Sequence, residues 1–399
     1  MQSIFSSPNP ILFGTGASDV VGAKLKGFGC TRVLVVYDEG VKKAGIAEKI
    51  IKNITASGIE TVCFEGVMPD PPDWSVEEAG KLAVSEKVDG VVGVGGGSSL
   101  DTAKAATLLV ANPPPIKQYF GREGVVTKAS VPLIVIPTTA GTGSESTPGG
   151  VITDTERGIK TNIAGLGCKI TLGIADPALT LGLPPSITAS TGMDAFCHAL
   201  ESYTSAMANS FCEVIGREAI RLVGKYLVRA CENGSDLEAR EGMMLAATLG
   251  GISMSGPFCH LAHDIGRSLG AKFHVPHGNA CASCLPQVLE AIAPACPDKV
   301  RYIAENLGAA IPADADAEAI GAAARDAALG LMRRINLPSL ADFGLKKEDL
   351  LATVPDEVVM HVENEFKIFG GVAPPPVPVT RELIAGIVTK AYDEGVGVA

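Results

Sequence analysis

The sequence has few charged side chains, few aromatic rings and no run of lysine or arginine. Charged residues make up 19% of the 399 residues, aromatic residues make up 5%, and the formal net charge is −11. Because a nucleic-acid partner requires a basic face, this composition excludes nucleic-acid binding. Apolar residues reach 46%, which is typical of a globular protein with a large core.

Targeting and membrane signals are also missing. Residues 1–15 show no basic start followed by an apolar segment, so the sequence predicts no signal peptide. The most apolar stretch, Met243 to Ala262, contains glycine, serine, proline and histidine, so we interpret it as a buried helix and not as a membrane span. We therefore expect a cytoplasmic protein without a membrane partner.

The 10 cysteines form no regular disulfide framework, and we expect them to be reduced. Cys281 and Cys284 form a CxxC pair, but no second pair accompanies it. We interpret both as small core residues, and the alternative is a role in redox chemistry or metal binding.

Strand and helix patterns alternate in the first half of the chain. Four β-branched runs predict strands at residues 32–38, 60–64, 88–94 and 131–137, with helices at 47–57, at 76–87 and from Leu100 onward. Such alternation predicts a parallel sheet covered by helices.

The second half shows long helical patterns and almost no strand pattern. Predicted helices cover residues 211–230, 237–255, 297–307, 317–334 and 380–391. A chain of this length exceeds a single core, so we predict two domains, 1–184 and 185–399. Asp176-Pro177 and Pro184-Pro185 mark the boundary.

Two loops rich in glycine and hydroxyl residues follow predicted strands, at Gly95–Lys104 and Pro137–Glu145. Glycines let the backbone approach a phosphate, and the following helix N-terminus presents N–H groups to it. Alternatively, the first loop is a tight turn in which Ser98 or Asp101 caps the helix. Two such loops at the carboxyl ends of parallel strands favour a nucleotide site.

The ordinary dinucleotide fingerprint is absent near the N-terminus. Gly14 and Gly16 fit Gly-x-Gly-x-x-Gly, but Asp19 occupies the third glycine position. Asp38, at the end of the first predicted strand, is placed to bind ribose hydroxyls and to favour NAD over NADP. The alternative role for Asp38 is to cap the next turn.

Five of the 6 histidines lie between residues 192 and 278. Asp194 and His198 are four residues apart, so on a helix they share one face. Such a pair usually makes a surface hydrogen bond, but the apolar surroundings and the clustered imidazoles favour a divalent metal site. Two further imidazoles would complete four ligands.

These motifs resemble those of the iron-containing (group III) alcohol dehydrogenases, the relatives of lactaldehyde/propanediol oxidoreductase. Gly95–Lys104 resembles the GGGSxxDxAK loop of that family, Pro137–Glu145 its PTTxGTGSE loop, and Phe273–Gly278 its FHxPHG segment. The segment from Asp176 to Glu201 resembles the one that carries the first two metal ligands. The resemblance implies an N-terminal dinucleotide-binding α/β domain and an all-helical, metal-binding C-terminal domain, with metal and nicotinamide held in the cleft between them.

The resemblance also implies the site residues. The metal ligands it implies are Asp194, His198, His263 and His277. The cofactor contacts it implies are Asp38, Asp70, Gly96, Gly97, Ser98, Thr138, Thr139, Thr142 and Lys160. Asp70 stands where relatives often have Asn. Family habit implies Fe²⁺, while Zn²⁺ also suits these donors, and NAD(H) is the implied cofactor.

One position departs from the family pattern. Many relatives have a histidine four residues after the third ligand, where this chain has Arg267, a poor proton carrier. Arg267 is expected either to pair with a carboxylate such as Asp264 or to bind an anionic group of the substrate. His260 and His274 are then the candidates for proton transfer.

We therefore expect an NAD- and metal-dependent oxidoreductase that interconverts a short-chain primary alcohol and its aldehyde, as a homodimer or larger oligomer by family analogy. If Arg267 binds an anionic group of the substrate, the expected substrate is an aldehyde that carries such a group. The alternatives are a zinc-dependent glycerol-type dehydrogenase, a lyase resembling dehydroquinate synthase, and a cofactor-binding protein without catalysis.

Overall fold

The computed structural model describes residues 9–121 and 125–395 and divides into two compact units. The first, here called the N-terminal unit, comprises Ser6–Thr139 and Gly143–Gly182. The second, here called the helical unit, contains Ala140–Thr142 and Leu183–Ala399. The short segment Ala140–Thr142 therefore groups with the later part of the chain.

The N-terminal unit is built on a sheet of six parallel strands. In chain order the strands are β1 (Ile11–Phe13), β2 (Arg32–Val36), β3 (Glu60–Phe64), β4 (Gly90–Gly95), β5 (Leu133–Pro137), the hairpin strands β6 (Gly149–Asp154) and β7 (Ile159–Ala164), and β8 (Leu172–Ala175). The six-stranded sheet has the order β1-β8-β5-β4-β2-β3, while β6 pairs with β7 in a separate antiparallel hairpin, and isolated bridges join Thr153 of β6 to Pro72 and Ile163 of β7 to Phe120. The central strands are buried on both faces, as their unbroken apolar runs predict.

The described residues of this unit form five α-helices: α1 (Val21–Gly27), α2 (Glu39–Lys43), α3 (Ile46–Ala56), α4 (Asp73–Ser85) and α5 (Gly97–Ala111). The four predicted strands are confirmed within a few residues, whereas β1, β8 and the hairpin were not predicted. Strands of three and four residues are too short to show a period.

The helical unit contains α6 (Pro185–Thr204), α7 (Ser210–Glu232), α8 (Leu237–Ser253), α9 (Leu261–Phe273), α10 (His277–Ser283), α11 (Leu285–Ile292), α12 (Pro297–Asn306), α13 (Ala317–Arg334), α14 (Lys347–Ile368) and α15 (Arg381–Asp393). These helices surround one large apolar cluster. The predicted all-helical second half is confirmed, although none of the predicted ranges covers α6, α9, α10, α11 or α14.

The apolar stretch Met243 to Ala262 is not one helix, so that interpretation was wrong in part. It covers the end of α8, a turn, and the beginning of α9. Gly256 lies in the turn with φ +146°, a conformation that L side chains rarely adopt. None of the described helices is long and apolar enough to cross a membrane.

Candidate metal centre and nucleotide loops

Three imidazoles converge on one carboxylate oxygen in the helical unit. Asp194 Oδ1 lies 3.7 Å from His198 Nε2 and 3.7 Å from His263 Nε2. His277 Nε2 lies 3.5 Å from the same oxygen. The four side chains proposed as ligands are therefore together, and only His277 is substantially exposed, at 37%.

Three helices supply these side chains. Asp194 and His198 are one turn apart on α6, His263 is in the first turn of α9, and His277 is the first residue of α10. The start of α10 can approach α6 because residue 278 is glycine: a Cβ there would overlap the carbonyl oxygen of Ser190. This close approach of the α10 backbone to the α6 backbone places His277 next to Asp194.

The donor atoms fit a divalent cation. Asp194 Oδ1 and His263 Nε2 are buried without a hydrogen-bond partner among the described residues. Leaving such atoms unpaired costs free energy unless a further group binds them. One carboxylate oxygen and imidazole nitrogens are donors that suit Fe²⁺ or Zn²⁺.

The charge states of Asp194 and His198 also suit a cation, whereas nearby thiols and carboxylates outweigh burial and raise the pKa of the His263 and His277 rings. Burial alone would raise the pKa of the Asp194 carboxyl, but the His198, His277 and His263 rings outweigh burial and lower it well below its ordinary value. Burial outweighs the effect of Asp194 on His198 and lowers the pKa of that imidazole to about 4. At neutral pH the site therefore presents a carboxylate and a neutral His198 ring.

Arg267 lies between two carboxylates. Its Nη1 is 3.6 Å from Asp264 Oδ1 and 3.3 Å from Glu365 Oε1, and it also contacts His361 Nε2. Both carboxylates are buried, whereas the Arg267 side chain is 41% exposed. The structure thus shows the pairing with Asp264 that was one of the two expectations.

The two candidate proton carriers occupy different surroundings. The His260 ring is fully buried, and its Nε2 is 2.9 Å from Thr204 Oγ1. Burial lowers the pKa of His260. His274 is exposed at the end of α9, where its φ of +56° is left-handed.

The first glycine loop in the N-terminal unit joins β4 to α5. Gly95 has φ +148°, and a Cβ there would collide with Ser99. The N-cap of α5 is Gly96, and no side chain caps the helix, so the alternative that Ser98 or Asp101 caps it was wrong. Gly97 and Ser98 form the first turn, whose backbone N–H groups face the loop side.

Lys104 ties the two loops together. This fully buried side chain donates from Nζ to Ser144 Oγ at 2.7 Å and to the Gly149 carbonyl at 2.6 Å. Asp101 accepts from Ser144 Oγ at 2.8 Å and from the Val151 N–H at 2.9 Å. The Asp and Lys of the first motif therefore fix the second motif and the hairpin.

The remaining predicted cofactor contacts divide into three groups. Asp38 caps α2 by accepting from the Val41 N–H at 2.9 Å, and it also accepts from Ser99 Oγ at 3.0 Å. Asp70 and Lys160 form an ion pair at 2.6 Å. Thr138 and Thr139 lie near the start of the second loop and belong to the N-terminal unit. Thr142, further along the same loop, groups with the helical unit.

Comparison with known proteins identifies the family. Residues 8–177 match the profile described as iron-containing alcohol dehydrogenase, and residues 188–369 match the C-terminal profile of the Fe-containing alcohol dehydrogenase family. The chain belongs to the iron-containing alcohol dehydrogenase family.

Several curated relatives share most of this alcohol dehydrogenase chain. It is 39% identical to a choline dehydrogenase of Bacillus subtilis over 76% of each chain. It is 36% identical to an NAD-dependent methanol dehydrogenase of Bacillus methanolicus, over 88% of this chain and 91% of that one. A sulfoacetaldehyde reductase of Bilophila wadsworthia is 34% identical over the same shares, 88% and 91%.

Solved structures confirm the predicted fold of this family member. A 1,3-propanediol oxidoreductase matches with a TM-score of 0.90 at 33% identity, covering 98% of this chain and 100% of that one. A sulfoacetaldehyde reductase from Bifidobacterium kashiwanohense in complex with NAD⁺ matches with a TM-score of 0.85 at 28% identity, covering 98% and 99%.

Glu201, which the sequence patterns do not single out, lies beside the candidate metal centre of this alcohol dehydrogenase. It is fully buried, accepts from the Ala262 N–H at 2.7 Å and contacts His263 Nδ1. Burial alone would raise the pKa of Glu201, but His263 and His260 lower it to about 2. A carboxylate on Nδ1 directs the other ring nitrogen of His263 towards Asp194.

Helical spacing in the sequence contains a signal for Glu201. Glu201 follows Asp194 by seven residues and therefore lies on the same face of α6, two turns further on. Its neighbours Ala199 and Leu200 are apolar and buried. A carboxylate on a buried face needs a partner. No comparable signal pointed to His361 and Glu365, because they are about a hundred residues from Arg267.

Cys281 also lies at the centre, one turn after His277 on α10. Its Sγ is 3.8 Å from each ring nitrogen of His277. Burial alone would raise the pKa of the thiol, but His263 and His277 outweigh burial and lower it to about 7. Cys281 and Cys284 are both buried, as expected of core residues, but Cys281 has these polar neighbours as well.

Proposed function

We propose that this member of the family is an NAD- and metal-dependent oxidoreductase that interconverts a short-chain primary alcohol and its aldehyde. The observation that carries the proposal is the convergence of His198, His263 and His277 on the buried, unpaired oxygen of Asp194. Family membership argues against the lyase alternative.

In this proposal Asp194, His198, His263 and His277 hold Fe²⁺ or Zn²⁺. Such a cation, when bound, makes an alcohol oxygen easier to deprotonate and a carbonyl more electrophilic. The protein's own groups prepare the site: Glu201 orients His263, and the low pKa of His198 keeps its ring neutral. His277, being partly exposed, lies on the side open to substrate.

We propose that the N-terminal unit binds NAD(H), which accepts or donates the hydride. Gly96, Gly97 and Ser98 would face the phosphates at the start of α5, which no side chain caps. The other proposed contacts are Asp38, Asp70, Thr138, Thr139, Thr142 and Lys160. Relatives named as NAD-dependent, or solved with NAD⁺, support this cofactor.

For proton transfer we favour His274 over His260. The His260 ring is buried and hydrogen-bonded to Thr204, which suits a role in positioning Glu201. His274 is exposed to solvent at the end of α9.

A neutral substrate suits the surroundings of Arg267 better than an anionic one. The positive charge of Arg267 already faces Asp264 and Glu365, so little of it remains for a substrate anion. An aldehyde with an anionic group stays as the second candidate, because the Arg267 side chain is 41% exposed and a relative is named sulfoacetaldehyde reductase.

We also propose domains at 1–184 and 185–399, a cytoplasmic location, and a homodimer or larger homo-oligomer.

The proposal is tested by following NADH absorbance with a panel of short alcohols and aldehydes, before and after chelation. We expect NADH to change with substrate, to stop changing after chelation, and to recover when Fe²⁺ or Zn²⁺ is restored. Asp194→Asn should show no recovery, whereas Asp326→Asn, on an exposed face of α13, should behave as wild type. Turnover that resists chelation would contradict the metal, and product without a change in NADH would indicate the lyase class.

The role of Arg267 is tested with plain and acid-bearing aldehydes in wild type, Arg267→Gln and Arg325→Gln. Arg325 is a matched control, since it pairs with Glu290 elsewhere in the helical unit. We expect Arg267→Gln to reduce kcat/KM equally for both aldehyde classes. A selective loss with the acid-bearing class would instead support the anionic substrate.

A further inference from the structure

The donor atoms at the metal centre include a sulfur. The ligand atoms of Asp194, His263, His277 and Cys281 all lie within 4.8 Å of one another. Among the described residues, that mutually close set contains Cys281 and not His198. Cys281 thus offers a sulfur donor close to the donor atoms of Asp194, His263 and His277.

Helix geometry places the thiol there. Cys281 is one turn after His277 on α10, as His198 is one turn after Asp194 on α6. On the opposite side α9 can approach because residue 266 is glycine: a Cβ there would lie 2.7 Å from Cys281 Sγ. The sulfur is therefore held between α9 and α10, beside the His263 and His277 rings.

The His263 ring contacts both of the other imidazoles at the centre. The His198 and His263 rings stack with centroids 4.7 Å apart, whereas His263 and His277 meet edge to face. Asp194 Oδ1 and His263 Nε2, which are shared by both donor sets, are buried and unpaired among the described residues. A cation at the point that they face can take the His198 and His277 rings as imidazole ligands and Cys281 as a sulfur ligand.

We propose that Cys281 is a further metal ligand of this centre, binding through its thiolate beside the Asp194, His198, His263 and His277 donors. This proposal rests on the metal site under Proposed function and deepens it. On binding, the thiol releases its proton to solvent, and the sulfur donates an electron pair to the cation. A sulfur donor makes the set softer and favours Zn²⁺ over Fe²⁺.

The first test uses Co²⁺ in place of the native metal, because a thiolate bound to Co²⁺ produces a charge-transfer band in the near ultraviolet. The metal is removed from wild type, Cys281→Ala, Cys259→Ala and Cys284→Ala, and Co²⁺ is added to each. Cys284 is a matched control, since it is equally buried three residues away. Bound cobalt is measured on the same samples.

We expect the band in wild type, Cys259→Ala and Cys284→Ala, and its loss in Cys281→Ala. Bound cobalt without the band in wild type, or loss of the band only in Cys259→Ala, would overturn the assignment of Cys281 and leave the Asp194 and histidine site intact. Failure of wild type to bind cobalt would overturn the metal site as well.

A second measurement needs no variant. X-ray absorption of zinc-loaded wild type should show one sulfur at about 2.3 Å. A zinc shell of nitrogen and oxygen alone would overturn the proposal. In competition between Zn²⁺ and Fe²⁺, Cys281→Ala should lose at least about tenfold in zinc preference relative to Cys284→Ala, whereas unchanged preference would count against a sulfur ligand.

Discussion

Glu201 accounts for the orientation of His263. Its two carboxylate oxygens are divided between the α9 backbone and His263 Nδ1. The ring is therefore fixed with Nε2 towards Asp194. A change at Glu201 alone would disturb this orientation without altering the atoms that face the metal.

Glu201→Gln should weaken metal binding without removing a ligand. Glutamine keeps the shape but loses the charge that fixes the His263 ring. We expect metal affinity to fall by about 10–100-fold, measured by titration with a metal-binding dye. Glu241→Gln, at an exposed position of α8, should leave the affinity unchanged. Equal affinities of wild type and Glu201→Gln would show that Glu201 does not orient the ligand.

The same residue predicts a pH dependence of stability in metal-free protein. The pKa of Glu201 falls from 4.5 to about 2 on folding, so its ionised form stabilises the fold above pH 4.5. That stabilisation, about 3 kcal/mol, is lost as pH falls towards 2. Urea unfolding between pH 3 and 6 should therefore show that the free energy of unfolding falls more steeply with decreasing pH in wild type than in Glu201→Gln. Parallel curves would contradict the lowered pKa.

At the scale of elements, the approach of α10 to α6 depends on one missing side chain. Gly278 follows His277, and its Cα faces the Ser190 carbonyl of α6. Any larger residue must push α10 away, which moves His277 relative to Asp194.

Gly278→Ala should lower both stability and metal affinity. We expect a loss of about 1–3 kcal/mol in the free energy of unfolding, together with weaker metal binding. Gly330→Ala, in the middle of α13, is the control, because a Cβ there meets nothing within 4 Å. That substitution should stabilise the protein by about 0.5–1 kcal/mol. Normal metal affinity in Gly278→Ala would show that the close approach does not position His277.

Local pattern predicted most elements but not all. The buried strands β2 to β5 and the helices α7, α8, α12, α13 and α15 have long apolar runs or clear periods, and the sequence places them within a few residues. Helix α14 has Pro355 in its interior, a residue that normally ends a helix. Strands β1 and β8 gain their hydrogen bonds from distant partners, which a local pattern does not show.

For the whole molecule, the metal should act as a stabilising ligand of the folded state. Since the four proposed ligands come from three helices between residues 194 and 277, the unfolded chain cannot hold them together. Free metal at 100 times its dissociation constant should add about 2.7 kcal/mol to the free energy of unfolding. Urea unfolding followed by circular dichroism, with Zn²⁺ and with chelator, measures this difference. Asp194→Asn should show almost none, and an equal gain in that variant would place the stabilising metal elsewhere.

The sequence alone determined the family, the two-part organisation and the identity of the proposed ligands, because long motifs and helical spacing are local properties. Asp194 and His198 share a helix face by arithmetic, and the two glycine loops follow strands that are visible as apolar runs. Only the tertiary structure decided which distant groups meet. It brought Glu201 to His263, His361 and Glu365 to Arg267, and Cys281 to the metal ligands, since these contacts depend on how closely helices can pack where glycine removes a side chain.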